Sequence, residues 1–130
     1  MYTEFISSEG LIRKAAKGMK KLDIFEYERP VGIQLFGGSE DAMEEAARIA
    51  EAAGPELIDI NYGCPVHKVV KAVKMPVTVK TRLGWNEATK NIMEVAERLQ
   101  DVGIQALSIH GRTRAQLYNC LLYTSPSPRD

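Results

Sequence analysis

Short apolar segments alternate with segments of helical spacing along this chain, and this alternation restricts the possible folds more than any other feature. Between the apolar segments, apolar residues recur every three or four positions, which predicts amphipathic helices. Strands joined by such helices run parallel, because each helix returns the chain to the edge of the sheet where the previous strand began. The clearest strand segments are VGIQLFG, LIDINYG, PVTVKTRLG and ALSIHGRTR.

The strands and the loops that follow them favour a barrel over an open sheet. The strands are apolar nearly throughout, which predicts a sheet covered on both faces. No G-x-G-x-x-G loop follows any strand, so a dinucleotide-binding sheet has little support. We predict an α/β fold, a partial (β/α)8 TIM barrel with about five parallel strands and helical crossovers.

Local signals predict where several elements begin and end. We expect a first strand over Met1–Ser7 and a helix over Glu9–Lys21. Ser39 is a good N-cap for the next helix, and Asn86 is expected to cap the helix after the fourth strand. Gly103 is expected to end that helix.

Two parts of the chain depart from the alternation. Only about a dozen residues separate Gly63 from Pro76, which is close to the minimum length for a parallel connection. The final segment, NCLLYTSPSPRD, is rich in serine and proline and has no helical stripe. We therefore expect a partial domain over residues 1–118 and a disordered or non-native tail over residues 119–130.

Composition sets the general class of the protein. The chain is 45% apolar and 26% charged, which is typical of a globular domain. It has 17 basic and 17 acidic residues, so net charge neither indicates nor excludes a nucleic-acid partner. Two cysteines, no signal peptide and no apolar run of membrane-spanning length predict a cytoplasmic protein without a membrane segment, and we expect a monomer.

Polar and reactive side chains stand at the ends of four strands. The carboxyl ends of barrel strands meet at one face, where barrel enzymes place their reacting groups, so these side chains are candidates for one active site. Taken singly, a lysine after a strand is usually solvated and a histidine is usually a satisfied core residue. The candidates are Gln34, Asn61, Cys64, Lys80, Arg82, His110, Arg112 and Arg114.

The residue types in this set narrow the chemistry. One cysteine without a second cluster of ligands argues against a metal site. Asp59 has no carboxylate partner at a recognisable spacing, which leaves glycosidase chemistry weakly supported. Amides, a lysine and a histidine around one thiol suit a planar ligand that forms hydrogen bonds. Cys64 is either a proton donor or a small buried hydrophobic side chain, and its position between Gly63 and Pro65 favours a loop.

Five segments of the chain, in this order, resemble the flavin-dependent tRNA-dihydrouridine synthase family. Together they cover about residues 1–118, and the GCP and HGRTRAQ elements are the most specific. The resemblance implies a (β/α)8 barrel that binds FMN and reduces the C5=C6 bond of uridines in tRNA, with NADPH reducing the flavin. The segments are YTEFISSEGL, VGIQLFGGS, DINYGCPVHKVVK, MPVTVKTRLGW and IHGRTRAQ.

The resemblance also implies roles for the candidate residues. Cys64 corresponds to the general acid that protonates C5 of uracil after hydride has reached C6. The three arginines, Arg82, Arg112 and Arg114, are expected to contact the tRNA substrate or the flavin phosphate. The residues expected to bind the flavin are Gln34, Asn61, Lys80 and His110.

The chain differs from the family pattern after the cysteine loop, where HKVV leads directly into VKAV-like sequence. Because family elements before residue 1 and after Tyr118 are also absent, the resemblance implies a truncated and internally deleted fragment. Two other functions stay open. One is another FMN-dependent barrel oxidoreductase, such as a dihydroorotate dehydrogenase or an old-yellow-enzyme relative, which GCPVHKVV and HGRTRAQ disfavour. The other is a non-catalytic protein, either a remnant that binds no flavin or a generic basic RNA-contacting module.

Overall fold

One parallel sheet organises the part of the chain that the structure describes. The computed structural model describes residues 1–14, 16–61 and 65–115. Five strands, β1–β5, lie in the order β1-β2-β3-β4-β5, and every neighbouring pair is parallel. They span Ile6–Ser7, Gly32–Phe36, Leu57–Asn61, Val77–Arg82 and Ala106–His110.

The helices form a layer along one face of this sheet. Helices α1 (Ser8–Ile12), α3 (Glu40–Ala52), α4 (Val66–Ala72) and α5 (Ile92–Val102) contact one another in this order. An open doubly wound sheet would reverse its strand order and carry helices on both faces. In this protein the strands lie in chain order and the helices cover one face, which is the arrangement of a barrel segment. This confirms the predicted α/β partial barrel. The helices α1–α5 span Ser8–Ile12, Ala16–Lys20, Glu40–Ala52, Val66–Ala72 and Ile92–Val102, and 3₁₀ helices span Glu26–Glu28 and Glu87–Thr89.

The two faces of the sheet carry different side chains. Successive residues of a strand point to opposite faces, so the face on which each side chain lies follows from its position in the strand. The face toward the helices is apolar, and the face away from them is polar. The buried apolar side chains toward the helices include Ile33, Leu35, Ile58, Ile60, Val77 and Val79. The opposite face carries Gln34, Asp59, Asn61, Thr78, Lys80, Arg82, Ser108 and His110.

Helix α3 shows how the outer layer packs. Its N-cap is Ser39, as predicted, whose hydroxyl accepts a hydrogen bond from the Ala42 nitrogen at 3.3 Å. Its buried stripe is mostly alanine, which lets the helix axis approach the sheet closely. The buried residues of the stripe are Met43, Ala46, Ala47 and Ala50.

The first strand is shorter than predicted. Only Ile6–Ser7 pairs as a strand, and Tyr2 makes a single bridge to Gly32. Between these points the hydroxyl of Thr3 accepts a hydrogen bond from the Gln34 nitrogen at 3.2 Å. A side-chain oxygen therefore takes the donor that a backbone carbonyl would take in a regular ladder, and the strand is interrupted.

The predicted helix over Glu9–Lys21 is divided into α1 and α2. Lys14 lies between them with φ of 52°, a left-handed conformation that a right-handed helix cannot include.

The start predicted for the helix after the fourth strand is also wrong. Asn86 caps the second 3₁₀ helix, accepting from the Thr89 nitrogen at 3.0 Å, and α5 begins only after Asn91.

The shortened crossover is present in the structure. Helix α4 has 7 residues, whereas α3 has 13 and α5 has 11.

Gly103 ends α5 in the left-handed conformation, with φ of 100°, as its position predicted. The predicted tail over residues 119–130 lies outside the described residues and stays a prediction. None of the described helices has both the length and the apolar character needed to cross a membrane.

Candidate active site

A cleft lies at the carboxyl ends of the strands, on the polar face of the sheet. Its volume is about 700 Å³, within the range of small-molecule sites. Strand ends supply most of its polar lining, and the loops after β4 and β5 supply the rim. The lining residues are Phe5, Gln34, Asn61, Lys80, Thr81, Arg82, Gly84, Trp85, Asn91, Val95, His110 and Arg114.

Strand register brings the candidate side chains together. Asn61 of β3 is paired with Lys80 of β4, and Lys80 is paired with Ser108 of β5. One step further toward the rim, Arg82 is paired with His110. Paired residues on neighbouring strands have side chains on the same face, so amide, ammonium, guanidinium and imidazole groups lie within two adjacent rows.

His110 stands in surroundings that disfavour its charged imidazolium form. Burial lowers its pKa, and the charges of Arg82, Arg112 and Lys80 lower it further. Its Nδ1 atom is buried and has no hydrogen-bond partner among the described residues. A buried ring nitrogen without a partner is costly, so this atom marks a place where a bound ligand can complete the hydrogen bonding.

Backbone hydrogen bonds fasten the loop after β5 to the loop after β4. The Arg114 nitrogen donates to the Gly84 oxygen at 2.9 Å, and the Ala115 nitrogen donates to the Trp85 oxygen at 2.7 Å. The Leu83 nitrogen also donates to the Arg112 oxygen, at 3.4 Å. The pairing of β4 with β5 thus continues past the strand ends and holds both loops at the rim.

Six of the eight candidate residues lie at this cleft, and their roles stay predictions. Arg112 is not among the lining residues, but its charge acts on His110. Cys64 lies outside the described residues, so the structure gives no position for its thiol. The six at the cleft are Gln34, Asn61, Lys80, Arg82, His110 and Arg114. In the described parts of the chain, no group of three or more metal-ligating side chains comes together.

Two features at or beneath the cleft carry no signal in the sequence. Trp85 is 67% exposed and lines the cleft, but a lone tryptophan after a strand carries no pattern that identifies it. Asp59 has no carboxylate partner at a recognisable spacing, so the sequence does not mark it either. It is buried and accepts hydrogen bonds from Gln34 and Thr78 on the neighbouring strands, contacts that depend on register and not on spacing in the sequence.

Comparison with known proteins identifies the family of this chain. A family model described as dihydrouridine synthase (Dus) matches residues 1–70 and 66–124. The chain belongs to the dihydrouridine synthase family. It is 43% identical to a probable tRNA-dihydrouridine synthase 1 from Synechocystis, over 92% of this chain and 40% of that protein. It is 39% identical to a probable tRNA-dihydrouridine synthase from Rhizobium leguminosarum, over 89% and 44%. It is 44% identical to tRNA-dihydrouridine synthase B from Serratia marcescens, over 67% and 33%.

These matches also show how much of a dihydrouridine synthase is present. The chain spans about two fifths of the length of the curated relatives it matches, with 40% and 44% for the first two. The alignment with the Synechocystis protein is 142 positions long, longer than the 130-residue chain itself. It must therefore include positions where this chain has no residue. The two family-model matches overlap at residues 66–70, inside the short helix α4, so one match ends and the other begins in the crossover between β3 and β4.

Proposed function

We propose that this chain carries part of an FMN-dependent tRNA-dihydrouridine synthase, which reduces the C5=C6 bond of uridines in tRNA with NADPH in the cytoplasm. One observation carries the proposal. In a member of the dihydrouridine synthase family, six side chains chosen from the sequence lie at one cleft at the carboxyl ends of the strands. Barrel enzymes bind their substrates and cofactors at this face.

The residues of the cleft suit a planar flavin. Gln34 and Asn61 offer amide groups for the edge of a heteroaromatic ring, and the partnerless Nδ1 of His110 offers a further hydrogen-bonding atom. Lys80 places a positive charge in the same row as Asn61. Cationic groups at this position would favour a ring that gains negative charge on reduction.

The chemistry assigned to the chain itself is proton transfer and positioning. When bound, FMN would supply the hydride for C6 of uracil and be reduced again by NADPH. Addition of hydride at C6 leaves negative charge over C5 and the C4 oxygen, and the thiol of Cys64 would donate its proton to C5. The products of that step are the saturated C5–C6 bond and a thiolate, which solvent protonates before the next turnover. Cys64 follows Asn61, which lines the cleft, by three residues in the sequence.

The rim of the cleft suits the RNA part of the substrate. Arg82 and Arg114 line the cleft, and Arg112 stands in the turn between β5 and Arg114. Guanidinium groups bind phosphate oxygens, and exposed aromatic rings stack on unpaired bases. A uridine that leaves its stack to enter the cleft would pass these groups.

The proposal is tested by flavin binding and by dihydrouridine formation. The test protein is a chimera in which the positions absent from this chain are supplied by the Synechocystis relative. We expect it to retain FMN through gel filtration and to form dihydrouridine in unmodified tRNA. Lys80→Met should weaken FMN binding, whereas Lys71→Met, an exposed lysine on α4, should not. A folded chimera that retains no FMN would refute the proposal.

A non-catalytic remnant is the second candidate, and the short α4 favours it. A crossover with a helix of only 7 residues leaves little chain between two strands that both contribute to the cleft. The 130-residue chain, tested beside the chimera, separates the two candidates. Flavin binding and activity by the chimera alone would mean that this chain is a remnant of an active dihydrouridine synthase.

A further inference from the structure

A row of three polar side chains crosses the sheet beneath the cleft. Gln34 of β2 is paired with Asp59 of β3, and Asp59 is paired with Thr78 of β4. The Gln34 Nε2 donates to Asp59 Oδ2 at 2.6 Å, and the Thr78 hydroxyl donates to Asp59 Oδ1 at 2.6 Å. Asp59 is 5% exposed and Thr78 is 9% exposed, so the carboxyl group and its threonine partner are shielded from water.

The chemistry of the row fixes which way the Gln34 amide points. Both oxygens of the Asp59 carboxyl group accept hydrogen bonds, one from the Gln34 amide nitrogen and one from the Thr78 hydroxyl, so the nitrogen of the amide, and not its oxygen, faces Asp59. Thr78 occupies the other carboxylate oxygen and keeps Asp59 from rotating. A glutamine without such partners could present either end of its amide with nearly equal ease.

Only one member of the row touches the cleft. Gln34 lines it, whereas Asp59 and Thr78 are not among the described lining residues. With Nε2 turned to Asp59, Oε1 is the acceptor atom of that amide left for a ligand. The cleft therefore offers a fixed hydrogen-bond acceptor at Gln34.

We infer that Asp59, held by Thr78, is a positioning residue that orients Gln34 to accept a hydrogen bond from a cyclic imide N–H. This inference rests on the proposed function in one respect, since both the flavin ring and uracil carry such an N–H between two carbonyl groups. It goes beyond that function because it assigns a role to two residues that do not reach the ligand.

Asparagine at position 59 is the informative substitution, because it keeps the shape of the side chain and adds a donor. In Asp59→Asn the amide oxygen can still accept from Thr78, which leaves the new NH₂ group facing Gln34. Gln34 then has to turn its own oxygen inward and present NH₂ to the cleft. Gln34 then presents a hydrogen-bond donor to the cleft in place of an acceptor. The imide N–H of a ligand is also a donor, so the two groups cannot form a hydrogen bond.

The first measurement concerns the amide itself and needs no ligand. In the ¹⁵N-labelled chain, we expect the side-chain NH₂ protons of Gln34 to exchange with water at least about tenfold more slowly than those of exposed Gln100, because one of them is bound to a buried carboxylate. Asp59→Asn should move the Gln34 signals, and Asp101→Asn, the same change on the exposed face of α5, should not. If Asp59→Asn does not fold, the slow exchange in the unaltered chain and its loss in Thr78→Val decide the point. Equal exchange at Gln34 and Gln100 would overturn the inference.

The second measurement concerns the ligand and uses the chimera. Asp59→Asn should weaken FMN binding by roughly tenfold, the effect of one lost hydrogen bond, and should leave the already weak binding of 3-methyl-FMN unchanged. If the loss appears instead with uridine and not with 3-methyluridine, the acceptor serves uracil. Unchanged affinity for both N–H ligands would overturn the inference while the proposed function stands. A chimera that binds no flavin would refute the proposed function, and the exchange of the Gln34 amide would then decide the orientation alone.

Discussion

The guanidinium carbon of Arg114 lies 6.0 Å from the centre of the Trp85 ring, at the rim of the cleft. This is the distance at which a cation is attracted to the face of an indole. Backbone bonds between the two loops set the pair in place, so the contact does not depend on the side chains alone. The rim thus combines an exposed aromatic surface with a positive charge, as single-stranded nucleic-acid sites do.

Trp85→Ala should weaken binding of unmodified tRNA by the chimera by about 1–3 kcal/mol, the worth of one base stacked on an aromatic ring. Stability should change little, because the side chain is 67% exposed. Affinity is measured by fluorescence titration at fixed salt. Phe25→Ala, at a 55% exposed phenylalanine outside the cleft, is the control. Equal effects of the two substitutions would mean that Trp85 does not stack on the RNA.

Lys80→Met should raise the pKa of His110, because the Lys80 charge is one of the causes that lower it. The depressed pKa means that the folded state disfavours the imidazolium, so stability should fall as pH drops below the ordinary histidine value of about 6.5. Lys80→Met should lessen that fall. The His110 ring protons, followed by NMR from pH 4 to 8, give the shift, with Lys71→Met as the control. A His110 titration identical in both variants would contradict the electrostatic account.

Cys64→Ala in the chimera should reduce dihydrouridine formation by roughly 10²–10⁴-fold, the usual contribution of a general acid. FMN binding and flavin reduction by NADPH should be nearly unchanged, since neither step uses the thiol proton. Single-turnover reduction of tRNA by the prereduced enzyme isolates the step. Full activity of Cys64→Ala would remove the thiol from the mechanism, and Cys120→Ala controls for the loss of a cysteine elsewhere.

Glu56→Gln should remove an acid-sensitive link between the starts of β2 and β3. The Glu56 carboxylate accepts a hydrogen bond from the Val31 nitrogen at 2.6 Å and is also paired with Arg29, and both contacts lower its pKa. A lowered carboxyl pKa stabilises the fold above the ordinary glutamate value and loses that effect as pH falls. The variant should therefore be less stable at pH 7 and have a flatter pH dependence between about pH 5 and 3. Thermal unfolding across that range measures both, and Glu97→Gln on exposed α5 is the control.

Ile60→Ala should destabilise the chain by about 2–5 kcal/mol, because this side chain is fully buried between β3 and the helices. Ile109→Ala, on the helix-facing side of β5 but 47% exposed, should cost far less. Urea unfolding followed by circular dichroism compares the two. Similar losses would mean that the helical layer does not form the main core.

The elements that sequence predicted best are those whose signals are local. Ser39 and Gly103 set helix ends through their own hydrogen bonds and conformation, and the structure has them where expected. Asn86 does cap a helix, but that helix is a 3₁₀ helix and not α5. The Asn91 nitrogen then donates to the Leu83 oxygen before α5 begins. The break at Lys14 has no local signal, since lysine rarely adopts a left-handed conformation.

The features of the candidate site also differ in whether a local signal in the sequence predicts them. The polar residues at strand ends could be selected from the sequence because a barrel places all such ends on one face. The partnership of Gln34, Asp59 and Thr78 could not, because 25 residues separate the first pair and 19 the second. Such contacts depend on register between strands, which no short stretch of the chain encodes.

The strands lie side by side in the order in which they occur in the chain, and this order affects how the protein folds during synthesis. Each strand from β2 onward pairs with the one synthesised just before it. A growing chain on the ribosome can therefore dock each new strand on an edge that already exists, without waiting for distant sequence. The short α4 brings β4 to β3 on a restricted tether, so we expect the docking of β4 on β3 to limit the pace of assembly.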